Sequence, residues 1–306
     1  MKQTICNNER CASVATLGID VGGTDVKYAV IADGEIKVRK KCPTNRESVE
    51  KLLDEIAAVC RELAEVYPYE KIGVGVPGVV KNGLLTTNNL PFKDTPIAEE
   101  LEKRTGFSVA VDNDANCAAL GEVLYGSGKN YDNAVLVTLG TGIGGGVIVD
   151  RKILRGRGGA GELGHLVIEA NDGLPCTCGQ RGCWEQYGSV GAFTRQATKA
   201  AEENPESFLA ELYRREGCLN GKLIFEALEK KCPVAEAVFD TYLDWLSVGL
   251  FSLQMIFDPE VILLAGGITK VGDAFLTPLL DKLNGAVPVA IATLQDDAGV
   301  FGAASL

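Results

Sequence analysis

Histidine is nearly absent from this chain: His165 is the single one among 306 residues. If that imidazole is committed to a metal, as its cysteine neighbours suggest, none is left for a Ser-His-Asp hydrolase. Long apolar runs are missing too, and nothing approaches the roughly 18 residues needed to span a bilayer. The stretch Met1–Thr16 is interrupted by Asn7, Asn8, Glu9 and Arg10 and does not read as a signal peptide. The expectation is a cytoplasmic protein with no membrane partner. Basic charge is in deficit, with 30 Lys and Arg against 41 Asp and Glu for a net −11. A nucleic-acid footprint needs a basic face, so nucleic acid is excluded as a partner. A nucleotide is not excluded, because Mg²⁺ and backbone N–H groups bind phosphate inside an acidic protein. There is no Walker A loop, since Gly128-Lys129-Asn130 lacks the closing Ser or Thr. No low-complexity segment or short-period repeat is present either.

The hydrophobic fraction of 46% beside 23% charged residues is that of a globular protein with substantial cores. The length allows two lobes. In a reducing compartment the ten cysteines are thiols or metal ligands rather than a disulfide framework. Most of them, including Cys6, Cys11, Cys42, Cys60, Cys117, Cys218 and Cys232, are scattered and read as packing or surface residues.

Hydrophobic alternation over Thr16–Ile31 and Ile36–Lys41 predicts a β-meander, followed by a helix over Ser48–Tyr67 with Ser48 as its cap. Strands at Lys71–Val76 and Ser108–Val111 flank a short helix at Pro96–Thr105. From Asp114 a second helix leads into strands between Asn133 and Val149, as if the same plan began again. Helical periodicity dominates Ala192–Phe257, a strand is expected at Val261–Ala265, and Gly299–Leu306 reads as a terminal helix. We expect two weakly similar α/β halves. The N-terminal lobe is 1–115, completed by a C-terminal helix at about 296–306; the other lobe is 116–295, with a zinc-binding loop and helical segments.

Three glycine turns stand at strand ends. Asp20-Val21-Gly22-Gly23-Thr24-Asp25-Val26-Lys27 joins two strands, and its glycines can turn N–H groups toward phosphate oxygens while Asp20 holds Mg²⁺ through water. A tight hairpin with a solvated Asp is the plainer alternative. Leu139–Val147 is a second such turn; it continues as a strand, so it is not a dinucleotide fingerprint, which opens a helix. Leu264-Ala265-Gly266-Gly267-Ile268 would let a purine or ribose approach the backbone, or simply turn a strand into a helix.

Val111-Asp112-Asn113-Asp114-Ala115-Asn116 ends a strand and opens a helix. Helix capping by Asp112 or Asn113 accounts for part of this cluster. Phosphoryl transfer accounts for more, with Asp114 as the base that accepts a hydroxyl proton and Asn113 fixing a neighbouring hydroxyl. His165 is followed by Cys176, Cys178 and Cys183, a Cys₃His set suited to a structural zinc ion with no open position. Redox chemistry is the competitor. Glu162 and Glu185 flank the cluster and would be drawn together, as a pair able to accept hydrogen bonds from sugar hydroxyls or to serve a glycosidase. A glycosidase gives no reason for three phosphate-like turns.

Taken together, Asp20-x-Gly-Gly-Thr-x-x-Lys27, Asn113-Asp114, Gly161-Glu-x-Gly-His165 and Cys176-x-Cys-Gly-x-x-Gly-Cys-x-Glu185 resemble the ROK family of sugar kinases and sugar-responsive repressors, from Asp20 to the C-terminus. The resemblance implies a two-domain, actin-like, ribonuclease-H-like α/β fold with ATP in an interlobe active-site cleft, and a homodimer. It implies Asp114 as catalytic base and Gly78, Asn89, Asn113, Asp114, Glu162, His165 and Glu185 as sugar contacts. His165 would bind zinc through one ring nitrogen and a sugar hydroxyl through the other. ATP would lie on Asp20, Gly22, Gly23, Thr24 and Lys27, on Thr138, Gly140, Thr141 and Gly142, and on Gly266 and Gly267. The implied reaction is ATP-Mg²⁺-dependent phosphorylation of a hexose 6-hydroxyl, with glucose the expected substrate and N-acetylmannosamine, N-acetylglucosamine or allose the alternatives. A non-catalytic sugar-sensing regulator is the rival. Repressors of the family carry an N-terminal helix-turn-helix, whereas 19 residues precede Asp20 here, so a kinase is expected.

Overall fold

The computed structural model describes residues 14–87 and 90–306, so Asn89 lies outside the described residues. Its contacts divide the chain into two units. One runs up to Asp114 and takes in Ala303–Leu306; the other is Ala115–Gly302.

In the first unit, alternation about Gly22-Gly23 builds β1 (Thr16–Val21) and β2 (Asp25–Ala32), and the Asp33-Gly34 pair turns the chain into β3 (Glu35–Pro43). Both turn residues have positive φ, 55° and 74°, the conformation a two-residue hairpin of this twist requires. Helix α1 (Val49–Val66) starts where Ser48 Oγ accepts the Lys51 N–H, and it buries Leu52, Leu53, Ile56, Cys60 and Leu63 on one face. Next come β4 (Lys71–Val76), β5 (Val79–Lys81), β6 (Leu84–Thr86), α2 (Ile97–Thr105) and β7 (Ser108–Asn113). The main sheet has the order β3-β2-β1-β4-β7, antiparallel through β1 and parallel from β1 to β7. Leu17, Ile19 and Val74 of this sheet and Leu53 and Ile56 of α1 belong to one apolar core.

Helix α3 (Asp114–Tyr125) begins in the first unit and continues into the second. There follow β8 (Ala134–Leu139), β9 (Ile143–Val149) and β10 (Lys152–Ile153), then an irregular segment with a short 3-10 turn at Leu163–His165. After a short α4 (Glu185–Gly188), the expected helical region resolves into α5 (Val190–Glu203), α6 (Phe208–Glu216), α7 (Gly221–Glu229) and α8 (Pro233–Phe257). Ser189, Ser207 and Asn220 cap α5, α6 and α7 by accepting the N–H groups of Ala192, Ala210 and Leu223. The chain ends with β11 (Val261–Ala265), α9 (Asp273–Leu283), β12 (Val289–Ile291) and α10 (Ala298–Ala303).

The second sheet runs β10-β9-β8-β11-β12, again antiparallel across its first three strands and parallel across its last three. Numbered within each five-stranded sheet, both read 3-2-1-4-5. The repetition expected from the sequence is therefore a repetition of topology, and two mixed sheets of this order make the actin-like, ribonuclease-H-like architecture. The units differ in what separates their third and fourth strands. The first has α1 between β3 and β4; the second has the segment from Leu154 through α8 between β10 and β11. Among the described residues no helix is long and apolar enough to cross a membrane.

Candidate active site

In the first unit the register pairs Val76 of β4 with Asn113 of β7, so Gly78, Asn113 and Asp114 gather at the C-terminal edge of two adjacent parallel strands. Ligands of open α/β sheets bind at such edges. Gly78 has φ 120°, and a Cβ there would lie 2.5 Å from the Thr86 carbonyl oxygen, so no other residue fits without moving that strand. Its own carbonyl accepts the Asn113 carboxamide at 3.0 Å, which fixes the side chain beside Asp114. The buried Asp112 carboxylate accepts the Asn113 N–H at 2.7 Å. Asp114 itself is the half-buried first residue of α3.

The β1–β2 turn closes with the Gly22 N–H on the Asp25 carbonyl at 2.9 Å, and Thr44 bonds the turn twice, through N–H to Thr24 O and through Oγ1 to Gly22 O. Gly23 and Thr24 are exposed at its tip. Asp20 pairs in register with Lys27, and their carboxylate and ammonium stand 3.5 Å apart. A half-buried carboxylate at a strand end offers the hard oxygen donor that Mg²⁺ takes alongside phosphate oxygens. The residues therefore fit that ion.

The β8–β9 turn is the same corner of the second sheet. Thr138 stands on β8 as Asp20 does on β1, and Gly140, Thr141 and Gly142 follow as Gly22 to Thr24 do. Gly140 N–H bonds Gly142 O at 3.1 Å, and Gly191 at the start of α5 bonds back to Gly140 O. The third turn also has its counterpart. Gly266 follows β11 with φ 115°, as Gly78 follows β4, and a Cβ on Gly266 would lie 2.1 Å from Leu139 O. A cavity of about 670 Å³ opens beside these two turns, bordered by Thr141, Gly267 and, from α7, Gly221, Phe225 and Glu226. That α7 wall was not anticipated, because its apolar spacing reads as ordinary core.

The Gly161-to-His165 stretch lies on β9 through both of its glycines. A Cβ on Gly161 would meet Gly145 O at 2.8 Å, and one on Gly164 would meet Ile143 O at 2.2 Å. Leu163 between them is buried, so Glu162 and His165 are held at fixed positions. The cysteine loop folds back through Gly179 and Gly182, at φ 89° and 81°, with Cys176 N–H on Gln180 O and bridges joining Val167 to Cys183 and Pro175 to Arg181.

This brings donor atoms of His165, Cys176, Cys178 and Cys183 within 4.8 Å of one another. Tetrahedral zinc with bonds of about 2.3 Å to sulfur and about 2.0 Å to nitrogen spaces two sulfurs by about 3.8 Å and a sulfur and a nitrogen by about 3.6 Å. The Cys178 and Cys183 sulfurs are 3.6 Å apart, and Cys176 Sγ is 3.5 Å from His165 Nδ1. Burial raises the Cys176 thiol and pushes the Cys183 thiol up to about 12, whereas the Gln180 N–H holds Cys178 below its ordinary value. Three sulfurs this close are stable as thiolates together only around a cation. The donor set fits zinc.

With Nδ1 toward the sulfurs, His165 turns Nε2 toward Glu162, 3.9 Å away. Glu185 lies on the other side, its Oε1 3.7 Å from Nδ1 and accepting from Cys176 Sγ at 3.1 Å. Its second oxygen, Oε2, would be 2.5 Å from a Cβ on Gly142. One carboxylate thus touches both the Cys₃His cluster and the second glycine turn, across 43 positions of sequence. Its neighbour Trp184 is fully buried, donates Nε1–H to Trp245 O at 3.0 Å, and lies where a Cβ on Gly249 would be 1.9 Å from its ring. Glu185 is therefore anchored from α8.

The chain is 36% identical over 305 residues to a glucokinase of Halalkalibacterium halodurans, covering 94% of this chain and 92% of that one. It is 29% identical to the xylose repressor of Bacillus subtilis, covering 89% of this chain and 69% of the repressor. Among solved structures, a ROK family glucokinase from Streptomyces griseus in complex with glucose and AMPPNP superposes with a TM-score of 0.79 at 35% identity, covering 95% of this chain and 98% of that one. The sequence profile of the ROK family matches residues 16–306, and the chain belongs to that family.

Proposed function

We propose that the protein is an ATP-dependent hexose kinase that phosphorylates the 6-hydroxyl of glucose. The observation that carries this reading is the cavity bordered by Gly140 and Thr141 of the second glycine turn and by Gly267: it joins a phosphate-sized hairpin to a space of nucleoside size. Its counterpart turn at Gly22–Thr24, with Asp20, Lys27 and Thr138, completes the phosphate contacts, and Gly266 lets the nucleoside lie close to the backbone. Gly78, Asn89, Asn113, Glu162, His165 and Glu185 hold the sugar.

The Asp114 carboxylate accepts the proton of the sugar O6 as O6 bonds to the γ-phosphorus; the bond from that phosphorus to the β,γ-bridging oxygen breaks and ADP leaves. Asp20 would hold Mg²⁺, which when bound neutralises charge on the phosphates. Cys176, Cys178, Cys183 and His165 Nδ1 would hold a structural Zn²⁺, leaving Nε2 for a sugar hydroxyl. The expected setting is the cytoplasm and the expected assembly a homodimer.

ADP release across a panel of glucose, allose, N-acetylglucosamine and N-acetylmannosamine tests the reading. Turnover highest on glucose is expected; turnover on none of them returns the chain to the regulator branch. Asp114→Asn is expected to keep sugar binding and to lower kcat by roughly 10²–10⁴, the share that general bases supply. A kcat near wild type would remove Asp114 from the role.

A further inference from the structure

The first unit holds a cavity of about 500 Å³ between β2, its edge strand β3 and helix α1, within the range of about 300–1,000 Å³ that small-molecule sites occupy. Val26 of β2 and Leu52, Ile56 and Val59 of α1 give it an apolar floor, and Tyr28, Cys42 and Glu55 bring polar groups to it. Cys42 pairs in register with Val26, and Lys40 with Tyr28, so the Cys42 thiol and the Tyr28 ring project from the same side of the sheet, toward α1. Tyr28 is 2% exposed, and its hydroxyl has no hydrogen-bond partner among the described residues. Burial first, then the Cys60 and Cys42 thiols and the Glu55 carboxylate, push that hydroxyl above its ordinary value, so Cys42 and Glu55 stand close around it. A buried hydroxyl left unbonded is costly, and the open space beside it is where a partner fits.

The two cysteines near Tyr28 differ in kind. Cys60 of α1 is fully buried and packs in the core. Cys42 is half-buried and borders the open space. Four of the five residues before it, Lys37, Arg39, Lys40 and Lys41, are basic in a chain of net −11, with Lys40 and Lys41 paired to Glu62 and Asp25. A part-exposed thiol among basic groups is the kind that exchanges with disulfides.

We propose that Cys42 is a modification site: a disulfide of a tripeptide-sized thiol seats in this cavity and leaves one of its halves on the Cys42 sulfur. The Cys42 thiolate attacks one sulfur of the reagent, the reagent's S–S bond breaks as the new one forms, and the other half leaves as a thiolate that takes up the proton Cys42 gave up. Cys42 is oxidised and the departing thiol is reduced, so no further oxidant enters. Tyr28 and Glu55 then offer hydrogen bonds to the ammonium and amide groups of the bound half.

The same cavity wall anchors the first glycine turn. Pro43 and Thr44 border the cavity, and Thr44 bonds Thr24 O at 2.8 Å and Gly22 O at 2.7 Å. A group attached to Cys42 fills the space beside these residues, displaces Thr44 and frees the turn that the proposed function assigns to phosphate. That consequence rests on the kinase reading; the adduct itself does not.

The test treats wild-type protein with glutathione disulfide. Peptide-resolved mass spectrometry is expected to find the glutathionyl group on Cys42 sooner than on the exposed Cys218, and to leave Cys60 unmodified. The KM for ATP-Mg²⁺ is expected to rise about tenfold, the order of two ordinary hydrogen bonds, and to return with dithiothreitol. Cys42→Ser, treated in the same way, is expected to keep its ATP KM within twofold of its untreated value, which separates this effect from oxidation of the zinc-site cysteines. Cys42 left unmodified, or modified no faster than Cys218, overturns the proposal, as does a Cys42 adduct that leaves the ATP KM unchanged. An untreated wild type without turnover counts against the kinase reading instead, and the mass measurement still decides whether Cys42 is the site.

Discussion

Replacing Glu122 is expected to destabilise the second unit more than any other single carboxylate change there. Glu122 lies near the end of α3 with no solvent exposure. Its Oε2 accepts from Ser127 N, Ser127 Oγ and Thr293 N at 3.0, 3.1 and 3.2 Å, and its Oε1 accepts from Leu294 N at 2.7 Å. One side chain therefore ties the end of α3 to the segment leading into α10. Glu122→Ala strands these donors, and a buried donor without an acceptor costs roughly 1–3 kcal/mol. If water reaches the part-buried Ser127 but not the Thr293 and Leu294 amides, the loss is about 4 kcal/mol. With a urea m-value of about 2–3 kcal/mol/M, the unfolding midpoint falls by roughly 1.3–2 M. Glu122→Gln keeps the volume and one acceptor but turns an NH₂ group toward donors in either orientation, so an intermediate shift is expected. Tryptophan fluorescence isolates the event, because both tryptophans of the chain, Trp184 and Trp245, belong to this unit. An alanine shift below about 0.4 M, or a glutamine variant as stable as wild type, would refute the hydrogen-bond reasoning.

Two further outcomes rest on the geometry. Cys178→Ser removes the most exposed of the four proposed zinc ligands, so the purified variant is expected to lose its zinc by elemental analysis and to show a tenfold or greater rise in sugar KM through the released His165 ring; wild-type protein without zinc defeats the assignment. Glu260 accepts the Asp132 and Asn133 N–H groups at 2.8 Å, and these bonds, Asn133 first, hold its carboxyl below the ordinary 4.5. A depressed folded-state value stabilises above pH 4.5 and is lost as pH falls through that lower value, so the melting-temperature gap between wild type and Glu260→Ala should be widest at pH 7 and shrink toward pH 3; a gap constant over that range excludes the linkage.

Local patterns carried the elements well where a residue type has one structural use. Ser48 caps α1 as its spacing predicts, and the Cys₃His donors meet at zinc-like separations because Gly179 and Gly182 permit a tight loop. The β5–β6 hairpin went unread although Asn82-Gly83, at φ 52° and 78°, marks it by the dipeptide most used in such turns. Other features had no local signal. Glu122 is an acid near the end of a helix, and what buries it arrives more than 170 positions later. The Glu185–Gly142 contact and the α7 wall of the cavity are likewise products of chain segments meeting in space. Spacing reports a residue's own helix or strand; it does not report which distant backbone needs that residue's acceptor or its missing Cβ.

The repeated sheet explains why two glycine turns occur and why they are not interchangeable. In both units the turn after the first strand is glycine-rich, and in both the strand beside it ends in a glycine near φ 120°, Gly78 after β4 and Gly266 after β11. The corners at the ends of the two fifth strands differ. After β7 the chain gives Asn113 and Asp114 at the head of α3, whereas after β12 it gives Ala292 and Thr293, with Leu294 bound to Glu122. A carboxylate fit to take a proton thus exists at one of two equivalent corners. The second unit instead carries, between its third and fourth strands, the His165 cluster and the α7 wall of the cavity. The helices after the two fifth strands also touch through missing side chains: a Cβ on Gly121 of α3 would be 2.3 Å from Ala298 O, and one on Gly302 of α10 would be 1.6 Å from Cys117 O. The chain passes between units at 114/115 in α3 and at 302/303 in α10. The helix that carries the proposed base is therefore packed, backbone on backbone, against the other helix in which the chain changes unit, and any side chain at Gly302 would disturb both crossings at once.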